Sequence, residues 1–305
     1  MNRKAAITTT AFGEHGSGPM ELLIKNGFEV VRNEFRRVLS KDEIPALCDG
    51  CVGIIAGTEG YDHDTLKKLR CLKVISRVGV GLDSIDIEAA DKLNIRVVNT
   101  PFGPVDAVAE LTVSLTLNLL RKVSSMDRGI RTGKWQKETG NLLHAKKVGI
   151  VGYGKIGQRV AELLTAFGCE TAYYDRIIDS GKTRTKPMPL ADLLEWAEII
   201  SIHISGKEMI IGEGELMRMK KGSWLINVSR GGTVDEKALY TALKERRLSG
   251  AAIDVFSEEP YKGALKELDN VILTPHIGSY AVESRREMEM DAVKNMIKIL
   301  NEVDR

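Results

Sequence analysis

The sequence predicts an α/β protein with two parallel-sheet domains in tandem, helices covering both faces of each sheet. Two alternations of short apolar strands with amphipathic helices predict it, one ending near residue 98 and one starting near residue 147. The third observation is Lys147–Gly157, where a β-branched run ends in G-x-G-x-x-G and is followed by apolar positions at helical spacing: Val160, Leu163, Leu164 and Phe167.

In the first half, strands are expected at Ala5–Thr9, Glu29–Arg32, Val52–Ala56, Lys73–Arg77 and Arg96–Val98. Helices fall between them at Pro19–Asn26, Lys41–Cys48, Asp64–Leu69 and Ile87–Leu93. The fourth strand runs into Arg77-Val78-Gly79-Val80-Gly81, a glycine pair without the third glycine of a dinucleotide fingerprint. At a strand's carboxyl end, such a loop can still offer N–H groups to a small anion. Asn99-Thr100-Pro101 break the pattern, and a long helix follows from Pro104 to Lys122. Its stripe of Val108, Leu111, Leu115 and Leu119, widened by Leu117 and Leu120, is broad enough to pack between domains or against a second subunit.

The fingerprint opens the second half. Gly152 allows a tight turn, Gly154 lets the backbone approach a pyrophosphate, and Gly157 lets helix and strand pack closely. The helix beginning at Lys155 and Ile156 presents free N–H groups and the positive end of its dipole to the anion. A strand at Glu170–Tyr174 ends at Asp175, 18 residues past Gly157. That matches the acid expected about 20 residues on, which takes the adenosine ribose hydroxyls. Asp175 argues for NAD over NADP because a carboxylate repels a 2′-phosphate; Arg176 beside it tempers this. Asp179–Lys186 is expected as a polar loop. Further strands are expected at Ile199–Ile202, Ser223–Asn227, Ala251–Ile253 and Val271–Leu273, and helices at Leu190–Trp196, Gly214–Met219 and Glu236–Glu245. The last helix, Ala281–Leu300, is long enough to reach back onto the first domain.

Composition narrows the function. The 305 residues are 43% hydrophobic and 28% charged, ordinary for a globular chain of about two domains. A net charge of +2 gives no global field to recruit nucleic acid or anionic membrane. No apolar run reaches the ~18 residues of a membrane span, and the start reads as a strand and not as a signal peptide, so the expected compartment is the cytoplasm. Four cysteines do not form a disulfide framework. Cys48 and Cys51 have C-x-x-C spacing, but no second pair at metal spacing accompanies them, so no metal is expected and packing beside a strand explains them.

Ligands of open parallel sheets bind beyond the strands' carboxyl ends. Three such ends carry reactive groups: Val228-Ser229-Arg230, Asp254 through Glu259, and Thr274 through Gly278 with His276 among them. A guanidinium holds a carboxylate bidentately, and an imidazole passes protons near neutrality. A carboxylate beside the imidazole favours its charged form. With a nicotinamide, these groups suffice to interconvert a 2-hydroxy acid and a 2-keto acid. Val228, Ser229 and Gly278, on the same loops, are read as cofactor contacts. His203 ends a strand at the crevice, where cofactor contact and plain packing both fit.

These segments resemble the D-isomer-specific 2-hydroxyacid dehydrogenases, the family of phosphoglycerate, glycerate/hydroxypyruvate, D-lactate and formate dehydrogenases. The resemblance rests on Val148–Gly157, Tyr173–Asp175, Gly222–Asp235, Gly250–Pro260 and Thr274–Ser279, with Ala107–Glu110 and the loop Arg77–Asp86. It implies that Arg230 grips the substrate carboxylate and 2-oxygen. His276 would be the acid–base, with Glu259 orienting it. Backbone groups of Val78 and Gly79, near Arg77, would bind the substrate carboxylate, and Asp254 would approach the nicotinamide carboxamide. It further implies a Rossmann-like NAD-binding domain (100–282) inserted in a discontinuous substrate domain (1–99 with 283–305), and a homodimer formed through the former. The sequence departs from the family at His203-Ile204-Ser205-Gly206-Lys207, where many members have His-x-Pro-x-Thr, and at Ser84, where Asn is common. It ends at Arg305, without room for the regulatory domain of long phosphoglycerate dehydrogenases.

The substrate stays open between 3-phosphoglycerate and a small acid such as glyoxylate or hydroxypyruvate. Arg77 suits a phosphate, with Lys137 a further basic candidate. Yet Ala56-Gly57-Thr58 stands where phosphoglycerate enzymes resemble Val-Arg-Ser, a loss of about 1.5–3 kcal/mol of charge-assisted contact. Two other classes fit the same features: an NAD-sensing transcriptional co-regulator, separable by peptide binding against NADH turnover, and an amino-acid dehydrogenase, revealed by ammonia-dependent turnover.

Overall fold

The computed structural model describes residues 3–177, 185–206 and 208–303. The chain divides into two compact units, Met1–Pro104 with Ser279–Arg305, and Val105–Gly278.

In the first unit the strands are β1 (Arg3–Ile7), β2 (Phe28–Arg32), β3 (Gly53–Ala56), β4 (Val74–Arg77) and β5 (Arg96–Val98). They pair in parallel in the order β2-β1-β3-β4-β5. The order reverses between β1 and β3, which puts a crevice at the carboxyl ends of those strands. Short helices α1 (Gly18–Lys25), α2 (Glu43–Leu47), α3 (His63–Lys68) and α4 (Ile87–Lys92) connect them. Asp62 and Asp86 start α3 and α4 by accepting the N–H groups of Thr65 and Ala89. Ile44, Leu66 and Ala90 line the core on one face. On the other lies the C-terminal helix α11 (Val282–Val303), which buries Met288, Ala292, Val293 and Met296. The Ser76 hydroxyl bonds to the Ala292 carbonyl at 2.8 Å and fixes that helix on the sheet. Cys48 and Cys51 are core side chains, only 2% and 1% exposed. Burial raises both thiols, Cys51 to about 11, so they stay protonated and inert.

The second unit carries helices α5 (Pro104–Arg121), α6 (Val123–Arg131), α7 (Lys155–Ala166), α8 (Leu190–Trp196), α9 (Glu213–Arg218) and α10 (Glu236–Lys244). Its strands are β6 (Lys147–Val151), β7 (Glu170–Tyr174), β8 (Lys186–Pro187), β9 (Ile199–Ile202), β10 (Trp224–Asn227), β11 (Gly250–Ile253) and β12 (Val271–Leu273). All are parallel, in the order β12-β11-β10-β9-β6-β7-β8, with the switch between β6 and β9. Two dry layers flank the sheet, one around Leu193, Ile200 and Leu239, the other around Ile150, Val160 and Leu164.

Three differences from the sequence reading appear here. The long apolar helix α5 buries Val108, Ala109, Val113, Leu115 and Leu120 in this unit's own core. A second helix, α6, follows it after a break at Lys122, whose φ of 55° is left-handed. Asn118 makes the break by accepting the Ser124 N–H at 2.9 Å. The expected loop Asp179–Lys186 ends in strand residue Lys186; its residues 179–184, like Lys207, lie outside the described residues. No helix among the described residues is long and apolar enough to cross a membrane.

Candidate active site

The turn after β6 is built by close contact. Gly152 has φ +94°, and a Cβ there would lie 2.6 Å from the His203 carbonyl carbon. A Cβ at Gly157 would lie 2.1 Å from the Gly152 oxygen, so α7 meets the turn without a side chain between them. Nothing lies within 4 Å of the Cβ direction of Gly154, the residue preceding α7. Gly154 and Lys155 are exposed, and Ile156 is half-buried. The open face at Gly154 and the N-terminus of α7 form a cradle that fits a pyrophosphate.

Asp175 stands beside this turn. Its carboxylate accepts the Tyr153 N–H at 2.6 Å and the Ile177 N–H at 2.8 Å. A carboxylate fixed in this way beside the glycine turn suits a ribose diol. Tyr153 is stacked on Tyr173 at 3.8 Å, and the Gln158 amide bonds to the Tyr153 carbonyl at 2.9 Å. These braces were invisible in the sequence, because a Tyr and a Gln within a glycine motif carry no signal of their own. His203 lies at the end of β9, with Nε2 2.7 Å from the Ser201 hydroxyl and Nδ1 buried without a partner. Desolvation lowers it to about 3, so it is a neutral imidazole.

The loops after β10, β11 and β12 carry the remaining groups. After β10, Asn227 accepts the N–H and hydroxyl of Ser229 at 3.1 and 2.8 Å. Thr233 closes the same loop with a bond to the Arg230 carbonyl at 2.7 Å. Val228 and Ser229 are buried, and one Arg230 nitrogen donates to the Ser229 carbonyl at 2.8 Å. After β11, Glu259 accepts the Phe256 N–H at 3.0 Å with one oxygen and faces His276 Nδ1 at 2.8 Å with the other. Burial alone would raise the Glu259 carboxyl. The bond from His276, the Phe256 N–H and the charges of His276 and Arg230 together outweigh burial and hold it below its ordinary value. Glu259 thus bonds to the loop carrying His276 and feels the charge of Arg230.

His276 sits at φ 54°, a left-handed conformation that costs a non-glycine residue about 1–3 kcal/mol unless its surroundings hold it. Asp254 does the holding. One of its oxygens accepts the Thr274 hydroxyl at 2.6 Å and the Ile277 N–H at 2.9 Å, and the other accepts the Gly278 N–H at 2.9 Å. Asp254 is fully buried, and its two oxygens brace the loop that carries His276. Burial raises the Asp254 carboxyl against the pull of its hydrogen bonds.

In the first unit, the loop after β4 begins inside the fold. The Val78 N–H donates to the Ala56 carbonyl at 2.9 Å, continuing the sheet. The Gly79 N–H donates to the Thr100 hydroxyl at 2.7 Å. Both residues are buried and both N–H groups are engaged. The next two, Val80 and Gly81, are half-buried, and their N–H groups make no hydrogen bond among the described residues. Arg77, half-buried, donates to the Val78 carbonyl.

A cradle for a dinucleotide, with an imidazole and a guanidinium at strand ends one strand apart in the same sheet, defines a nicotinamide-dependent dehydrogenase class. Residues 113–278 match the NAD-binding domain of the D-isomer specific 2-hydroxyacid dehydrogenases. A glyoxylate reductase of Thermofilum pendens is 42% identical over 80% of this chain and 76% of its own length. A D-3-phosphoglycerate dehydrogenase of Methanocaldococcus jannaschii is 36% identical over 89% of this chain but 54% of its own, so the chain spans about half of that relative. A crystal structure of a Thermus thermophilus protein superposes with a TM-score of 0.90 at 32% identity, covering 98% of this chain and 97% of the other. The chain belongs to the D-isomer specific 2-hydroxyacid dehydrogenase family. It is an NAD-dependent oxidoreductase of 2-hydroxy acids.

Proposed function

We propose that this enzyme reduces a small, unphosphorylated 2-keto acid, of the glyoxylate or hydroxypyruvate kind, with His276 as acid–base. The observation that carries the roles is the 2.8 Å contact of His276 Nδ1 with Glu259. It leaves Nε2 as the atom that faces substrate. Gly152, Gly154, Lys155, Ile156, Gly157 and Asp175 would hold NAD, which when bound supplies or accepts the hydride at C2. In reduction, protonated His276 gives its Nε2 proton to the 2-oxygen as C2 gains the hydride; in oxidation it takes that proton back. Arg230 grips the carboxylate and the 2-oxygen, drawing charge from the carbonyl as it becomes an alkoxide. Glu259 keeps the imidazole oriented and balances its positive charge.

Two observations support an unphosphorylated substrate. The Thermofilum glyoxylate reductase is 42% identical to this chain and the Methanocaldococcus phosphoglycerate enzyme 36%. At the carboxyl end of β3, where a phosphate would need a cation, Gly57 is followed by Glu59, a buried carboxylate accepting the Gly57 N–H at 2.7 Å and the Tyr61 hydroxyl at 2.9 Å. Steady-state kinetics with glyoxylate, hydroxypyruvate, 3-phosphohydroxypyruvate and pyruvate test this directly. The highest kcat/KM is expected for glyoxylate or hydroxypyruvate; a preference for the phosphorylated acid would reverse the assignment.

We further propose a cytoplasmic homodimer. Helix α6 buries none of its residues, and Val123, Ile130 and Trp135 are 55%, 58% and 83% exposed, an apolar surface that a second copy would cover.

A further inference from the structure

The second unit contains an ion pair that no part of the proposed mechanism uses. Arg176 follows Asp175 at the end of β7, and Glu208 lies in the segment after β9. In the sheet, β6 lies between these two strands, so their loops flank its glycine turn from opposite sides. The two side chains meet with Nη1 2.5 Å and Nη2 3.3 Å from the two carboxylate oxygens of Glu208. The pairing is end-on and two-pronged, a geometry that commits a guanidinium to one partner.

The location gives the pair its meaning. Dinucleotide sites discriminate at the adenosine 2′ position, an acid taking the free hydroxyl and a nearby arginine taking a 2′-phosphate. This chain has both residues, side by side, at 175 and 176. Asp175 is fixed by the Tyr153 and Ile177 N–H groups and stays with the ribose. Arg176 is the cation a 2′-phosphate would use, and Glu208 holds it. We propose that Glu208 is a cofactor-specificity residue: it occupies the Arg176 guanidinium and thereby withholds it from the 2′-phosphate of NADP(H). The inference rests on the reading that Asp175 faces the adenosine ribose.

A ligand with a plain 2′-hydroxyl asks nothing of Arg176. A 2′-phosphate would have to take Arg176 from Glu208 while lying near two carboxylates. With Glu208 made neutral, Arg176 is released and one negative charge is removed. Both side chains are more than half exposed, and exposed pairs are weak, so the effect is modest.

The test compares wild type with Glu208→Gln, Arg176→Gln and the double variant, measuring kcat/KM for NADH and NADPH with one keto acid. Fluorescence titration of each reduced cofactor, without substrate, gives the affinities separately. Glu208→Gln is expected to raise the NADPH/NADH ratio about 3- to 10-fold, through a lower NADPH Kd, with NADH constants within about twofold. The double variant is expected to lose that gain, since the released guanidinium is gone. An unmoved ratio in Glu208→Gln, or an equal rise in the double variant, overturns the proposal, because the ion pair is then surface decoration or mere charge. Asp175→Ser is a separate arm. If it raises the ratio while Glu208→Gln does not, the ribose reading stands and this inference falls; if it leaves the ratio flat, the ribose reading falls and takes the inference with it.

Discussion

The residue proposed to pass the proton, His276, is held in place by Asp254. His276 owes its left-handed backbone to the three hydrogen bonds of Asp254. In Asp254→Asn, one oxygen becomes an NH2 group, which cannot accept the Gly278 N–H. A buried donor left without an acceptor costs about 1–3 kcal/mol. The expected outcome is an unfolding free energy in urea lowered by that amount, with kcat down about tenfold and NADH affinity nearly unchanged. Stopped-flow turnover and NADH fluorescence check it; unaltered kcat would mean the loop keeps its shape without Asp254. Of the proposed site, the loops carrying Arg230, Glu259 and His276 were legible from sequence, since each follows a recognisable strand. The tasks of Asp254, Val78, Gly79 and Gly278 were not. Which donor a backbone N–H already satisfies depends on partners such as Thr100 and Ala56, 20 or so residues away, and no local pattern records that.

At the scale of elements, the loops after β10 and β11 are interlocked. Gly231 lies so close to β11's loop that a Cβ would fall 1.7 Å from the Phe256 carbonyl oxygen. Gly231→Ala must therefore push the Arg230 loop away from the loop carrying Glu259. Overpacking of this kind costs about 1–3 kcal/mol, and we expect kcat/KM for the keto acid to fall at least about tenfold. The keto-acid KM should rise while the NADH Kd moves little; a wild-type KM would show that the loops give way without moving Arg230. Strands and helices with strong periodicity were legible nearly to the residue: β5, β9, β12 and α8 begin and end where the pattern puts them. The break between α5 and α6 was not, because Leu120-Arg121-Lys122-Val123 contains neither Gly nor Pro. It is made by a side chain, Asn118, reaching forward to Ser124.

At the scale of the whole molecule, acid stability follows from two shifted groups of opposite sign. The folded chain keeps His203 neutral down to about pH 3, whereas an unfolded imidazole, with an ordinary value of 6.5, binds a proton below that pH. Between those limits the unfolded state holds more protons, so stability falls as pH falls. Asp254, raised in the folded state, works against this just above its ordinary 3.8. Urea midpoints at pH 7 and pH 5 are expected to differ in the wild type and to differ less in His203→Gln. Equal differences would remove His203 as the cause. The sheet order places the glycine turn, Asp175, Arg230 and His276 all at carboxyl ends of one sheet, which is why a single unit can bring a dinucleotide and an acid–base to one edge.

The most direct measurement is the steady-state rate of NADH oxidation with glyoxylate and hydroxypyruvate by wild type and His276→Ala, followed by absorbance, with NADH affinity measured in parallel. Losing a positioned acid–base group costs about 10²-fold or more, so the variant should bind NADH normally and turn over at most about one hundredth as fast. A variant that oxidises NADH at the wild-type rate would contradict the assignment of His276 as the proton donor.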